Sequence, residues 1–231
     1  MRAVLVINLM NFSKSQIIST LKATGIAPMF YHGDKDVARN IVDVSYEGGV
    51  RAVEFTNRGP NAFEVFKDIL KYSEKYPGMI IGIGTILDAK MTEKYIKAGA
   101  QFIVSPILRP EMAEACKKHD KLWIPGAATI TELVNARLLG ADIIKIFPAS
   151  VLGPGFVSSV LPVVPDLQLM ATGGIEPTYQ SLSKWFQAGI VCAGLGSQLI
   201  TKDILTKKDW HTLKHKVSDA IAIVKQIRDS N

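Results

Sequence analysis

Only two cysteines occur in the 231 residues, Cys116 and Cys192, and they form no C-x-x-C pair and no metal-ligand spacing. A disulfide scaffold and a cysteine-built zinc site are therefore excluded. Both are read as small buried apolar side chains in a reducing compartment. Long apolar runs are missing too: no stretch approaches the roughly 18 residues that a membrane-spanning helix needs. The opening MRAVLVINLM is short, is interrupted by Asn8 and leads to no small-residue cleavage site, so it is not read as a signal peptide. Residues 1–12 are read as a leader or disordered tail and residues 13–231 as one domain, working in the cytoplasm.

Histidine is scarce, with four in the chain. His211 and His215 stand four apart near the C-terminus, but no Glu follows His211 and no third ligand is near, so no metal is expected there. His32 is read as a loop residue. The net charge of +6 comes largely from Lys202, Lys207, Lys208, Lys214, Lys216 and Lys225 near the C-terminus. These lysines lack interleaved stacking aromatics, so they read as a solvated helix face and not as a nucleic-acid surface. The positive balance suits an anionic small molecule.

What is present is a repeat of structure. Apolar runs at 25–31, 50–56, 79–84, 101–106, 122–125, 142–147, 168–172 and 190–194 alternate with amphipathic stretches. The runs are continuous and not alternating, as in parallel strands buried on both faces. Helices are predicted over 13–24, 36–48, 61–76, 89–98, 110–119, 131–139, 177–188 and 210–228, several bounded by Gly or Pro. Eight βα units without a dinucleotide fingerprint predict a (β/α)8 TIM barrel with an extra N-terminal helix, in preference to a doubly wound sheet. In such a barrel, chemistry belongs at the C-terminal ends of the strands.

The unusual polar residues fall there. Lys145 interrupts Ile143-Ile144-Lys145-Ile146-Phe147. Burial disfavours its charged form, and a neutral amine is what attack on a ketone requires. The plainer alternative is a lysine that points outward or pairs with a carboxylate. Glu54, in Val53-Glu54-Phe55-Thr56-Asn57-Arg58, could shuttle protons or form an ion pair with Lys145 or Arg58. The fork of Arg58 suits a carboxylate or phosphate, with an exposed surface arginine as the alternative. Gly173-Gly174 and Gly196-Ser197 follow the last two strands, where barrels frequently hold phosphate. Gly82-Ile83-Gly84-Thr85 makes either a tight turn or room for substrate, and Ser105-Pro106 reads as turn chemistry.

Together, Val-Glu-Phe-Thr-Asn-Arg at 53–58, Gly-Ile-Gly-Thr at 82–85, Val-Ser-Pro at 104–106, Lys-Ile-Phe-Pro-Ala at 145–149 and Thr-Gly-Gly-Ile at 172–175 carry a resemblance. With Gly196-Ser197, they resemble the 2-keto-3-deoxy-6-phosphogluconate aldolase family, which includes 4-hydroxy-2-oxoglutarate aldolases. The resemblance runs in order over about residues 13–205. It implies a homotrimeric class I aldolase with no metal or organic cofactor, acting on a small keto acid to release pyruvate, with no nucleic-acid or membrane partner. It further implies that Lys145 forms the Schiff base and Glu54 is the general acid/base, acting through water. Arg58 and Thr85 would hold the pyruvate carboxylate, and Pro106 and Phe147 would wall its pocket. Thr172 would lie near the substrate hydroxyls, with Gly173, Gly174, Gly196 and Ser197 at the phosphate. Ile107, Ala127-Ala128-Thr129, Ser150 and Leu195 depart from the family pattern and bear on substrate choice more than on the imine. The alternatives are a phosphate-binding barrel isomerase or epimerase, which needs no buried lysine, and a non-catalytic binder of a phosphorylated ligand.

Overall fold

The computed structural model describes residues 12–230. Most of the expected leader, residues 1–11, lies outside the described residues; Phe12 is half-buried against the helix that follows it.

The strands are β1 (Ile26–Phe30), β2 (Ala52–Thr56), β3 (Ile80–Gly84), β4 (Phe102–Val104), β5 (Leu122–Ile124), β6 (Gly126–Ala127), β7 (Ile144–Ile146), β8 (Leu169–Thr172) and β9 (Cys192–Leu195). They order as β5-β4-β3-β2-β1-β9-β8-β7-β6, and every pair is parallel. The two ends of that order, β5 and β6, are consecutive pieces of chain parted at Pro125. The ring therefore closes as an eight-stranded barrel whose fifth strand is interrupted by a residue with no N–H. The free Pro125 carbonyl still accepts from Lys145 N at 2.7 Å.

Side chains alternate between two clusters. Ala27, Ala52, Ile80, Phe102, Leu122, Ile143, Met170 and Cys192 pack inside the barrel. Their neighbours Ile26, Val53, Ile81, Ile103, Trp123, Ile144, Leu169 and Ala193 pack outward against the helices. This is the period of two expected along a strand.

Around the barrel lie α2 (Lys35–Glu47), α3 (Ala62–Ser73), α4 (Ala89–Lys97), α5 (Pro110–Lys118), α6 (Ile130–Leu138), α7 (Ala149–Val160), α8 (Tyr179–Ala188), α9 (Lys202–Lys207) and α10 (Trp210–Asp229). Asp34, Asp88, Thr129, Thr178 and Thr201 cap their helices through side-chain oxygens. The leading helix α1 (Lys14–Thr24) starts with a capping box of Ser13 and Gln16 and ends at Gly25, φ +69°. Its Ile17 and Leu21 join the interior cluster and stopper the end of the barrel opposite the polar residues. Two helices, α7 and α9, are absent from the predicted set. In α7 the Gly153-Pro154-Gly155 run reads as a breaker, and the helix does kink there, at Gly153 (φ 72°, ψ 167°). The other, α9, is too short to show a period.

Candidate active site

Parity along the strands decides which polar groups face inward. Glu54 lies two residues beyond Ala52, Lys145 two beyond Ile143, and Thr172 two beyond Met170, so all three point into the barrel above the apolar layer. Glu54 and Lys145 are 0% and 3% exposed. Lys145 Nζ stands 3.8 Å from Glu54 Oε1. Both alternatives read from the sequence are thus met by one arrangement: the lysine is buried and it is paired.

The pair is poorly satisfied by protein. Neither oxygen of Glu54 has a hydrogen-bond partner among the described residues, and neither does Thr172 Oγ1. Such groups are expensive to bury, and polar atoms left open inside a barrel mouth are poised for a polar ligand. Burial pushes the Lys145 ammonium below its usual range. The Glu54 charge opposes that shift and the Arg58 charge adds to it. Burial raises the Glu54 carboxyl, against the pull of Lys145 and Arg58. Both shifts favour a neutral amine beside a protonatable acid.

Glycine makes the space. A Cβ on Gly84 would overlap the Glu54 carboxylate, and one on Gly82 would overlap the Phe102 ring. Gly84 therefore admits a buried carboxylate and Gly82 the Phe102 ring, and both lie within β3 and not in a turn. Thr85 follows with φ +61°, a left-handed conformation that is unusual for a β-branched residue. Its Oγ1 accepts from Arg58 Nε at 3.4 Å.

A cavity of about 380 Å³ opens beyond the same strand ends, lined by Thr56 and Thr172 but by neither Lys145 nor Glu54. Of the residues predicted from sequence, it brings together Arg58, Phe147, Thr172, Gly173, Gly174, Gly196 and Ser197. Lys145 borders it through Phe147, whose ring centroid is 5.3 Å from Nζ. Gly173 and Gly174 have φ of +109° and +76°, which glycine adopts without strain. Pro106 is not part of the cavity lining; it packs where a Cβ on Gly126 would sit, and Gly126 is the register partner of Lys145. The lining also holds Tyr31, Thr56 and Gln198, which the sequence reading passed over. Thr56 was findable, because it lies two residues beyond Glu54 and must share its face. Tyr31 and Gln198 sit in loops and carry no pattern.

Among the described residues, no group of three or more His, Cys, Asp or Glu could hold a metal ion. His211 and His215 face each other on α10 with Nε2 atoms 3.1 Å apart. No helix among the described residues is long and apolar enough to cross a membrane.

A closed parallel barrel with a buried lysine–carboxylate pair beneath a glycine-lined mouth is the form of an aldolase, a carbon–carbon lyase. The comparisons with known proteins agree. The family model described as KDPG and KHG aldolase matches residues 17–216, and the chain belongs to that family of class I, Schiff-base aldolases. It is 30% identical over 220 residues to 2-dehydro-3-deoxy-6-phosphogalactonate aldolase of Escherichia coli, covering 94% of this chain and 97% of that protein. It is 31% identical over 204 residues to 2-dehydro-3-deoxy-phosphogluconate aldolase of Pseudoalteromonas atlantica, covering 85% and 90%. Among solved structures, the 2-keto-3-deoxy-6-phosphogluconate aldolase of Zymomonas mobilis with 3-phosphoglycerate superposes with a TM-score of 0.78 at 30% identity, over 90% of this chain and 95% of the other.

Proposed function

We propose that this aldolase cleaves a 2-keto-3-deoxy-6-phospho sugar acid to pyruvate and glyceraldehyde 3-phosphate, through an imine on Lys145. The observation that carries the reading is the buried Lys145–Glu54 pair, 3.8 Å apart, with both carboxylate oxygens open. The substrate carboxylate binds Arg58 and Thr85, on the side of the cavity that Phe147 lines. Neutral Lys145 attacks the ketone carbon, and a proton passed from the Glu54 carboxyl to the carbinolamine hydroxyl lets it leave as water, which gives a protonated imine and a Glu54 carboxylate. Glu54, acting through water, takes the proton from the C4 hydroxyl. The C4 oxygen becomes the aldehyde carbonyl, the C3–C4 bond breaks, and its electrons pass into the iminium to give an enamine. The aldehyde leaves. A proton returned from the Glu54 side to C3 restores the imine, and hydrolysis frees pyruvate and Lys145.

The phosphate is assigned to Gly173, Gly174, Gly196 and Ser197, whose backbone lines the cavity beside Thr172, the residue assigned to the substrate hydroxyls. The 3-phosphoglycerate bound to the Zymomonas relative supports a phosphorylated aldehyde. Cleavage of 4-hydroxy-2-oxoglutarate to pyruvate and glyoxylate would use the same imine steps. The family resemblance supports a homotrimer acting in the cytoplasm. Leu138, Val151 and Val163, at 79%, 78% and 68% exposed, leave apolar surface of the sort a subunit contact covers. Light scattering on the eluting protein gives the mass that tests the trimer.

The deciding experiment is borohydride reduction with pyruvate, followed by intact mass and peptide mapping. The expected result is one reduced pyruvyl adduct on Lys145, absent in Lys145→Ala, which is folded and inactive. Folded protein that gains no adduct in excess pyruvate overturns the imine.

A further inference from the structure

Arg58 is exposed, and among the described residues its one side-chain hydrogen bond is the long contact to Thr85. Its place at the mouth is set by the backbone around it. Arg58 N–H donates to Thr56 O, and Asn57 N–H donates to Gly84 O, each at 2.9 Å. The side chain of Asn57 takes no part in lining the cavity. Its Oδ1 accepts the Tyr95 hydroxyl at 2.8 Å. Tyr95 reaches in from α4, outside the barrel, and is fully buried. Its ring meets Phe63 and Phe66 of α3 edge-on, with centroids 5.4 and 5.1 Å apart. Burial raises the Tyr95 phenol to about 12, so it remains a donor at neutral pH. On the other flank, the Tyr31 ring covers Gly59, where a Cβ would overlap it. The residues on both sides of Arg58 are thus fastened, one by a half-buried hydrogen bond and one by an aromatic lid.

We propose that Asn57 and Tyr95 are positioning residues for recognition of the keto-acid carboxylate. The bond between them ties the loop after β2 to α4, so that Arg58 faces the cavity before substrate arrives. A loop held in its bound form loses less freedom on binding. Without the bond, Arg58 must be ordered by the substrate itself, and affinity for the carboxylate falls while the amine chemistry beneath is untouched. The inference rests on the imine reading above.

The test is pyruvate trapping by borohydride on the full chain, for the unaltered protein, Tyr95→Phe, Asn57→Ala and the double variant. Inorganic phosphate serves as a competing probe of the glycine-lined mouth. Loss of one hydrogen bond is expected to raise the half-saturating pyruvate concentration about three- to tenfold in each single variant. The double variant adds nothing further, because the two side chains share one bond. The limiting trapping rate stays within about twofold, and the phosphate inhibition constant is unchanged. Half-saturation at the unaltered value in Tyr95→Phe overturns the proposal. So does a parallel loss of half-saturation, limiting rate and phosphate binding, which marks a loosened fold. Absence of any adduct in the unaltered protein is a different failure: it overturns the imine reading, and this inference with it.

Discussion

At the scale of single residues, the site depends on a base and an acid held out of water, each of which tunes the other. The pH behaviour of Lys145 follows with a definite sign. Burial lowers the lysine, whereas the Glu54 charge partly restores it. Glu54→Gln removes the restoring charge, so the lysine should titrate still lower. The acid limb of the pyruvate trapping rate is expected to move to lower pH in this variant, even as turnover of the full substrate falls about 10²–10⁴-fold with loss of the general acid/base. A pH series of adduct yield reads the first effect and an aldehyde-coupled assay the second; an acid limb that moves upward contradicts the electrostatic account. Gly84 gives a second test. In Gly84→Ala the new methyl occupies the place of the Glu54 carboxylate. Overpacking here should lower stability by about 1–3 kcal/mol and depress turnover more than trapping, because Lys145 is left in place. Lys145 and Glu54 were legible in the sequence because charge is conspicuous in an apolar strand. Their pairing was legible only as one of two alternatives, with Lys145 or Arg58 as the partner of Glu54: a strand buried on both faces shows an unbroken apolar run, which hides which residues share the interior.

At the scale of elements, the strands were legible almost to their ends, since continuous Val-, Ile- and Leu-rich runs between Gly and Pro leave little else to form. The exceptions have physical causes. The fifth strand divides at Pro125, which cannot donate to a ladder, and α7 was hidden by the residues that bend it. Gly153 holds φ 72° and ψ 167°, a conformation open to glycine and scarcely to other residues. Gly153→Ala is therefore expected to destabilise the protein by about 1–3 kcal/mol, although a Cβ there would meet nothing within 4 Å. Urea denaturation measures this directly. An unchanged midpoint would mean that α7 relaxes into an unkinked helix at no penalty.

At the scale of the whole molecule, the two ends of the barrel are separated in purpose. The polar end stays open over Lys145 and Glu54. The opposite end is closed by α1, whose Leu21 is fully buried among the interior side chains. Arg228, near the end of α10, fastens that closure: its guanidinium donates to the carbonyls of Lys22 and Ala23 at the end of α1 and to Val191 O. Leu21→Ala should cost about 2–5 kcal/mol, as large-to-small changes in packed cores do. Arg228→Ala, whose bonds are partly open to solvent, should cost about 1 kcal/mol. Neither residue touches the strand ends that carry the chemistry. Both variants should therefore melt at lower temperature and yet, while folded, trap pyruvate with the half-saturation of the unaltered protein. A rise in half-saturation in Leu21→Ala at temperatures well below its melting point would show that the apolar layer transmits strain to Lys145, and that the stopper and the site form one unit.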